Sequence, residues 1–282
     1  MPRRGRSRLA LSHAAALGAL HGPTELLPVS SSGHTTLVPW LLGWPYAELD
    51  PELRKAFEVA LHAGTAAALL VALRMEVGQA VGDLDRRRVQ LVALSAAPPA
   101  ALAFLLERPI ERRLGTPATI AAGLLAGSAL MAFADQAPGA GGPAAGARAR
   151  DEAGALDALC LGLAQATALI PGVSRNGATL AAARLRGFGR EDANALSRHV
   201  ALPIITAASA LKGYRLLRRG MPPRALAPFV VGAAAAFTST LTSTWLIRQV
   251  ERDRSLAPYA AYRTVLAAFV VRRLWWERRR RR

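Results

Sequence analysis

Residues 18–35, GALHGPTELLPVSSSGHT, decide the fold, because they return in altered form at residues 162–179, GLAQATALIPGVSRNGAT. At an ungapped offset of 144, Gly18, Val29, Ser30, Gly33 and Thr35 fall on Gly162, Val173, Ser174, Gly177 and Thr179. The same offset carries Leu41, Gly43 and Trp44 onto Leu185, Gly187 and Phe188, which reads as an internal duplication. Chance likeness between two Ala- and Leu-rich stretches punctuated by glycine is the competing reading. In each copy a short apolar segment precedes the polar motif and another follows it, with Pro28 or Pro171-Gly172 at the break. Segments of about 13 to 17 residues are too short to span a bilayer singly and suit a re-entrant pair of half-helices.

Outward from these motifs, apolar stretches recur at 56–74, 89–106, 116–134, 194–211, 225–247 and 256–271, with charge clustered between them. The pattern predicts an all-α polytopic membrane protein. Each half would be a re-entrant helix pair followed by three transmembrane helices. The first repeat is read over 1–133, with its pair at about 8–43, and the second over 154–277, with its pair at about 154–188. The Gly-, Ala- and Pro-rich stretch 134–153 is the connector and 278–282 a basic tail. Three crossings between the pairs bring the second in from the opposite face, an inverted-topology repeat with both polar tips near the midplane.

The net charge of +17 invites a nucleic-acid reading, but the arginines sit at the chain ends and in connecting segments such as 86–88 and 278–282. That distribution suits flanks drawn to anionic lipid head groups, and no aromatic-interleaved basic surface accompanies it. No nucleic-acid partner is expected. The single cysteine, Cys160, lies in an apolar run, so there is neither a disulfide framework nor a thiolate cluster. The N-terminal run 1–20 has the basic start and apolar stretch of a signal peptide, yet runs straight into the polar motif and is expected to remain in the mature protein. The basic N-terminal tail, residues 212–224 and the C-terminus favour cytoplasmic termini, whereas Arg86 to Arg88 argue for the opposite orientation.

The chemistry is concentrated in the motifs. A carboxylate this deep in apolar sequence costs about 2.5 to 3.5 kcal/mol on insertion scales, so Glu25 is expected to face a cavity and a partner. If the two motifs meet, Glu25 and His34 confront Arg175. The guanidinium fork of Arg175 suits phosphate oxygens. Hydroxyls and backbone N–H groups at a half-helix N-terminus add further anion donors. Ser31 can act as a nucleophile with His34 as its base, three residues on along one helix face. Glu25 can hold a divalent cation or move protons. Blander roles remain open: Ser30 and Ser32 as helix caps, Glu25 and Arg175 as a structural ion pair, His34 as a buried, hydrogen-bonded histidine. Glu58 and His62, four apart on one helix face, form either an interior pair or a shell behind the site. His13 and His199 read as flank or packing residues.

At these residues the sequence resembles the undecaprenyl-diphosphate phosphatase family of bacteria, the BacA type. Residues 22–34, GPTELLPVSSSGH, are similar to its first motif and 171–179, PGVSRNGAT, to its second. Residues 56–59, 201–203 and 258–263 fall on similar segments, so the resemblance covers most of 15–270. It implies a multi-pass protein of the bacterial plasma membrane that hydrolyses undecaprenyl diphosphate to the monophosphate carrier lipid and phosphate. That activity supports carrier recycling for the cell wall, with the assistance of a divalent cation, magnesium or calcium. Carried over, Ser31 becomes the nucleophile, His34 its proton partner, Glu25 the metal-binding or acid/base carboxylate and Arg175 the phosphate clamp. Ser30, Ser174, Asn176 and Thr179 support the phosphate, and His21 joins Glu25 as a metal ligand. Asn176 stands where the family commonly has serine, His21 where it usually has Glu or Gln, and Ala195 where it often has Glu. These departures leave room for a catalytically weak paralogue. The broken-helix architecture also suits a lipid-phosphate transporter or flippase.

Overall fold

The structure, a computed structural model, describes residues 9–83, 85–136, 147–219, 223–253 and 255–280. The basic stretch 1–8, most of the connector (137–146), part of the basic segment before residue 224 and Arg281 and Arg282 lie outside the described residues. Twelve α-helices follow one another among the described residues: α1 Leu11–Leu26, α2 Ser31–Leu42, α3 Pro51–Ala72, α4 Arg74–Gly82, α5 Arg86–Leu114, α6 Pro117–Ala134, α7 Ala155–Thr167, α8 Arg175–Leu185, α9 Arg190–Arg219, α10 Pro223–Thr242, α11 Trp245–Arg252 and α12 Ala257–Arg280.

Among the described residues, four stretches are long and apolar enough to cross a membrane: Pro51–Ala72, Arg86–Leu106, Pro117–Ala134 and Ala225–Thr242. They match four of the six apolar stretches read from the sequence. The other two fall in α9 and α12, which are longer still at 30 and 24 residues. Their apolar middles are framed or interrupted by charge, including Arg198 in α9 and Arg263 in α12. The short helices around each polar motif, of 16 and 12 residues in the first half and 13 and 11 in the second, are the broken pairs.

Local chemistry explains where the long helices start. Asp50 accepts hydrogen bonds from the N–H groups of Glu52 and Leu53 ahead of α3, with Pro51 in the first helical position. Asp85 caps α5 through the Arg88 N–H, and Thr116 and Thr119 cap α6 reciprocally.

The chain divides into two compact units that draw on both sequence halves. Unit 1 comprises the chain up to Leu26, His34–Val81 and Ile204–Thr244. In it α1 and α3 pack against α10 around Leu17, Phe57, Leu61 and Phe229. These helices approach backbone to backbone, as small residues permit in membranes. A Cβ on Gly64 would lie 2.2 Å from the Ala233 carbonyl oxygen, and one on Gly18 2.3 Å from that of Gly232. Gly64→Ala therefore has to push α3 and α10 apart, and we expect a loss of about 1–3 kcal/mol. Thermal unfolding in detergent would read this as a lowered midpoint.

Unit 2 comprises Leu27–Gly33, Gly82–Pro203 and Trp245 onward. There α5 packs on α7, and α6 on α8 and α12, with Met131, Leu180 and Leu256 fully buried. Two carboxylates tie its ends. Asp135 accepts from Arg184 at 2.6 Å and from the Leu256 and Ala257 N–H groups at the start of α12. Asp157 takes Arg148 at 2.8 Å and Arg186 at 2.6 Å, fastening the residues before α7 to the end of α8.

Candidate active site and cation site

Ser30 and Ser174 are the only described non-glycine residues with positive φ, at 76° and 24°. They occupy equivalent positions in the two motifs. Each hydroxyl accepts the N–H three residues on, Gly33 to Ser30 at 3.3 Å and Gly177 to Ser174 at 3.2 Å. At the other end of the two short helices, Gly43 and Gly187 correspond in the same way, with φ of 68° and 80°. The likeness of the two motifs thus extends from residue types to backbone geometry. Capping is the role that the structure gives Ser30 and Ser174, and the unusual φ values concentrate strain at these two turns.

α2 and α8 start at residues 31 and 175, directly after these caps. A helix start of this kind attracts an anion. Ser31 opens α2, and His34 follows one turn later on the same helix; both are buried. Arg175 opens α8 and is half-buried.

Asn176 and Thr179 are tied to α9 through Ser197. Thr179 is completely buried, with its hydroxyl 2.5 Å from Ser197 and 2.9 Å from the Arg175 carbonyl oxygen. Ser197 in turn donates to Asn176 Oδ1 at 3.3 Å. The set fastens the first turn of α8 to α9. Ala195, where the family often has glutamate, is buried in α9, and the carboxylate that meets Arg198 of this helix comes from Glu251 of α11.

Sequence reasoning gave no role to Arg263, which holds the two motifs together within unit 2. Its side chain is fully buried in α12. One guanidinium nitrogen donates to the Gly172 carbonyl at 2.8 Å and to that of Leu124 at 3.1 Å, and the other to the Pro28 carbonyl at 3.3 Å. Pro28 and Gly172 immediately precede the two strained turns. The space the guanidinium fills is kept open by Gly127, where a Cβ would come within 2.1 Å of it. The available signal was a lone arginine inside the apolar stretch 256–271.

Unit 1 gathers the remaining candidates. His21 and Glu25, four apart on α1, meet His62 of α3, and one ligating atom from each lies within 4.8 Å of the other two. His62 Nδ1 is 4.0 Å from Glu25 Oε2, and the two imidazoles meet edge to face with ring centres 4.5 Å apart. His21 is buried, its Nδ1 2.9 Å from the Thr65 hydroxyl. His62, expected behind the site, stands in the cluster itself, whereas Glu58 lies beside the buried Tyr46 hydroxyl. His13 stacks on Trp44 at 4.0 Å, in keeping with a packing role.

Membrane-length helices and two pairs of short helices around the polar motifs define a multi-pass membrane protein. The chain belongs to the BacA family: the family model described as "Bacitracin resistance protein BacA" matches residues 14–269. It is 39% identical to an undecaprenyl-diphosphatase of Geobacter sulfurreducens, over 93% of this chain and 97% of that one. It is similar in the same way to the undecaprenyl-diphosphatases of Geobacter metallireducens (36% identity, 92% and 96% covered) and Rubrobacter xylanophilus (35% identity, 93% and 97% covered).

Proposed function

We propose that this chain is an undecaprenyl-diphosphatase, which removes the terminal phosphate of undecaprenyl diphosphate in the bacterial cell membrane and leaves the monophosphate carrier lipid. The observation that carries the reading is the pair of matched serine-capped helix starts in unit 2, both anchored by Arg263, with Ser31 on one and Arg175 on the other. The matched backbone geometry of the two motifs also supports a duplicated, inverted-topology repeat.

In the assigned mechanism Ser31 Oγ attacks the terminal phosphorus in line as His34 takes its proton, and the bond to the bridging oxygen breaks as the lipid monophosphate leaves. Water then attacks the phosphoserine, releasing phosphate and returning the proton to Ser31. Arg175 and the N–H groups at the helix starts neutralise charge that builds on the non-bridging oxygens. Ser30 and Ser174 set the turns, and Asn176 and Thr179 hold Arg175 in place.

We infer that the activity uses a divalent cation, and the donors present fit one. His21, Glu25 and His62 bring two imidazoles and a carboxylate to within ligating range of a common point. When bound, such an ion would supply charge neutralisation to an anionic group that ligates it.

The test is phosphate release from undecaprenyl diphosphate by the purified full chain in detergent with lipid. Release is expected with a divalent cation and should fall about 100-fold or more on chelation, as loss of several kcal/mol of charge stabilisation requires. Ser31→Ala should abolish it. The proposal fails if no polyprenyl diphosphate yields phosphate under any cation. Movement of the lipid across a bilayer without phosphate release would select a transporter instead.

A further inference from the structure

We propose that the His21–Glu25–His62 cluster binds a borderline transition-metal dication, of the manganese, cobalt or zinc class, in preference to magnesium or calcium. The proposal rests on the cation assignment above and names the class of ion that this particular donor set selects.

The donor types make the first argument. Magnesium and calcium are hard ions that take oxygen ligands almost exclusively. Imidazole suits zinc, iron and their neighbours, and two histidines with one carboxylate recur where such ions keep positions open for a reacting ligand. This cluster offers two nitrogens to one carboxylate. Its residues sit on α1 and α3, which pack rigidly against α10, so the set is presented by helices rather than by loops.

Geometry makes the second argument. Two ligands each about 2.1 Å from a tetrahedral ion are separated by about 3.4 Å. His62 Nδ1 and Glu25 Oε2 stand at 4.0 Å, and all three ligating atoms lie within 4.8 Å, so small side-chain rotations bring them onto one ion. The 4.0 Å separation is also too long for a hydrogen bond between those two atoms.

The third argument comes from what lies behind His21. The Thr240 hydroxyl donates to the Ala236 carbonyl oxygen at 2.7 Å. Thr240 also donates to the Thr65 hydroxyl, 3.2 Å away, and that hydroxyl stands 2.9 Å from His21 Nδ1, where its second lone pair can accept from Nδ1–H. A ring that donates to Thr65 through Nδ1–H keeps the lone pair of Nε2 for an ion. Metal-bound histidines are fixed and oriented by such a bond on the other ring nitrogen. Glu25, with a side chain only 7% exposed, gains a cation to offset the cost of its burial, while His62 at 37% leaves one side of the cluster accessible.

The experiment uses the full chain, purified in detergent with a histidine-free tag, stripped by a chelator and titrated with cobalt(II) while its visible absorption is recorded. We expect one cobalt per chain with ligand-field bands of a low-coordinate site, displaced by equimolar zinc and retained against about 100-fold more magnesium or calcium. His21→Gln and His62→Gln should each weaken cobalt binding by at least tenfold, and Thr65→Val by about tenfold through loss of the orienting bond. Absence of bound cobalt in the parent chain, displacement by equimolar magnesium, or unchanged affinity in both glutamine variants overturns the proposal. The readout is independent of turnover. Cobalt held by these residues in a chain that releases no phosphate would sink the phosphatase reading alone, and magnesium-supported phosphate release from a chain that holds no cobalt would sink this one alone.

Discussion

Arg175→Ala is expected to lower phosphate release from undecaprenyl diphosphate by about 10³-fold or more, the scale set by arginines that neutralise a transferring phosphoryl group. Arg175 is the first residue of α8, directly after the Ser174 cap, with its backbone oxygen tied to Thr179. That placement puts a residue with a forked pair of donors at the start of the helix. The charge they meet is greatest as the phosphoryl group transfers, so the loss should appear mainly in kcat rather than KM. Arg175→Lys keeps the charge and gives up the fork, and should fall between the two, at about 10- to 100-fold below the parent. The side chain is half-buried at a helix start and outside the hydrophobic clusters, so the unfolding midpoint should barely move. A variant within about threefold of the parent would remove Arg175 from the mechanism, because even one neutral donor to a developing oxyanion is worth more than that.

The parts of this site that could be read in the sequence are those built from local chemistry. A proline, a serine and a glycine three residues later announce a helix start wherever they occur, and both motifs fold that way, down to the matching positive φ of Ser30 and Ser174. His21 and Glu25 could be placed together because a helix brings residues four apart onto one face. The apolar stretches were equally legible, although charge framing α9 and interrupting α12 makes those two helices less apolar than the four clear spans.

Long-range packing accounts for what could not be read. His62 reaches His21 and Glu25 because α1 and α3 pack in one unit with α10, at approaches that glycines 18 and 64 permit; nothing in the local sequence around His62 pairs it with residue 25. Glu58, its neighbour by helical spacing, goes to Tyr46 instead. Thr179 carries the motif's most recognisable spacing, yet its hydroxyl is spent on Ser197, eighteen residues away and on another helix. Each of the two compact units draws on both sequence halves, a grouping that local sequence does not reveal.

Arg263→Met is expected to lower the unfolding midpoint and, in the protein that remains folded, to cut phosphate release by about 100-fold, the penalty that a displacement of roughly 1 Å in reacting groups carries. The carbonyls of Gly123 and Leu124 belong to α6 and keep helical partners when the guanidinium is removed. Those of Pro28 and Gly172 lie in the turns and do not. Two buried carbonyls left without donors cost about 1–3 kcal/mol each. Relief from burying a cation offsets part of this, since Arg263 has no carboxylate among its hydrogen-bond partners and its Nε has no acceptor. A net loss of about 2–4 kcal/mol is the expected balance. The activity loss separates a positioning role from bulk stability, because it should persist at temperatures well below the lowered midpoint. Arg263→Lys sharpens the distinction: one ammonium can satisfy either turn but cannot bridge both as a planar fork does, so stability should recover further than activity. Recovery of both together would mean that the charge alone matters, and that the two turns hold their geometry without being joined.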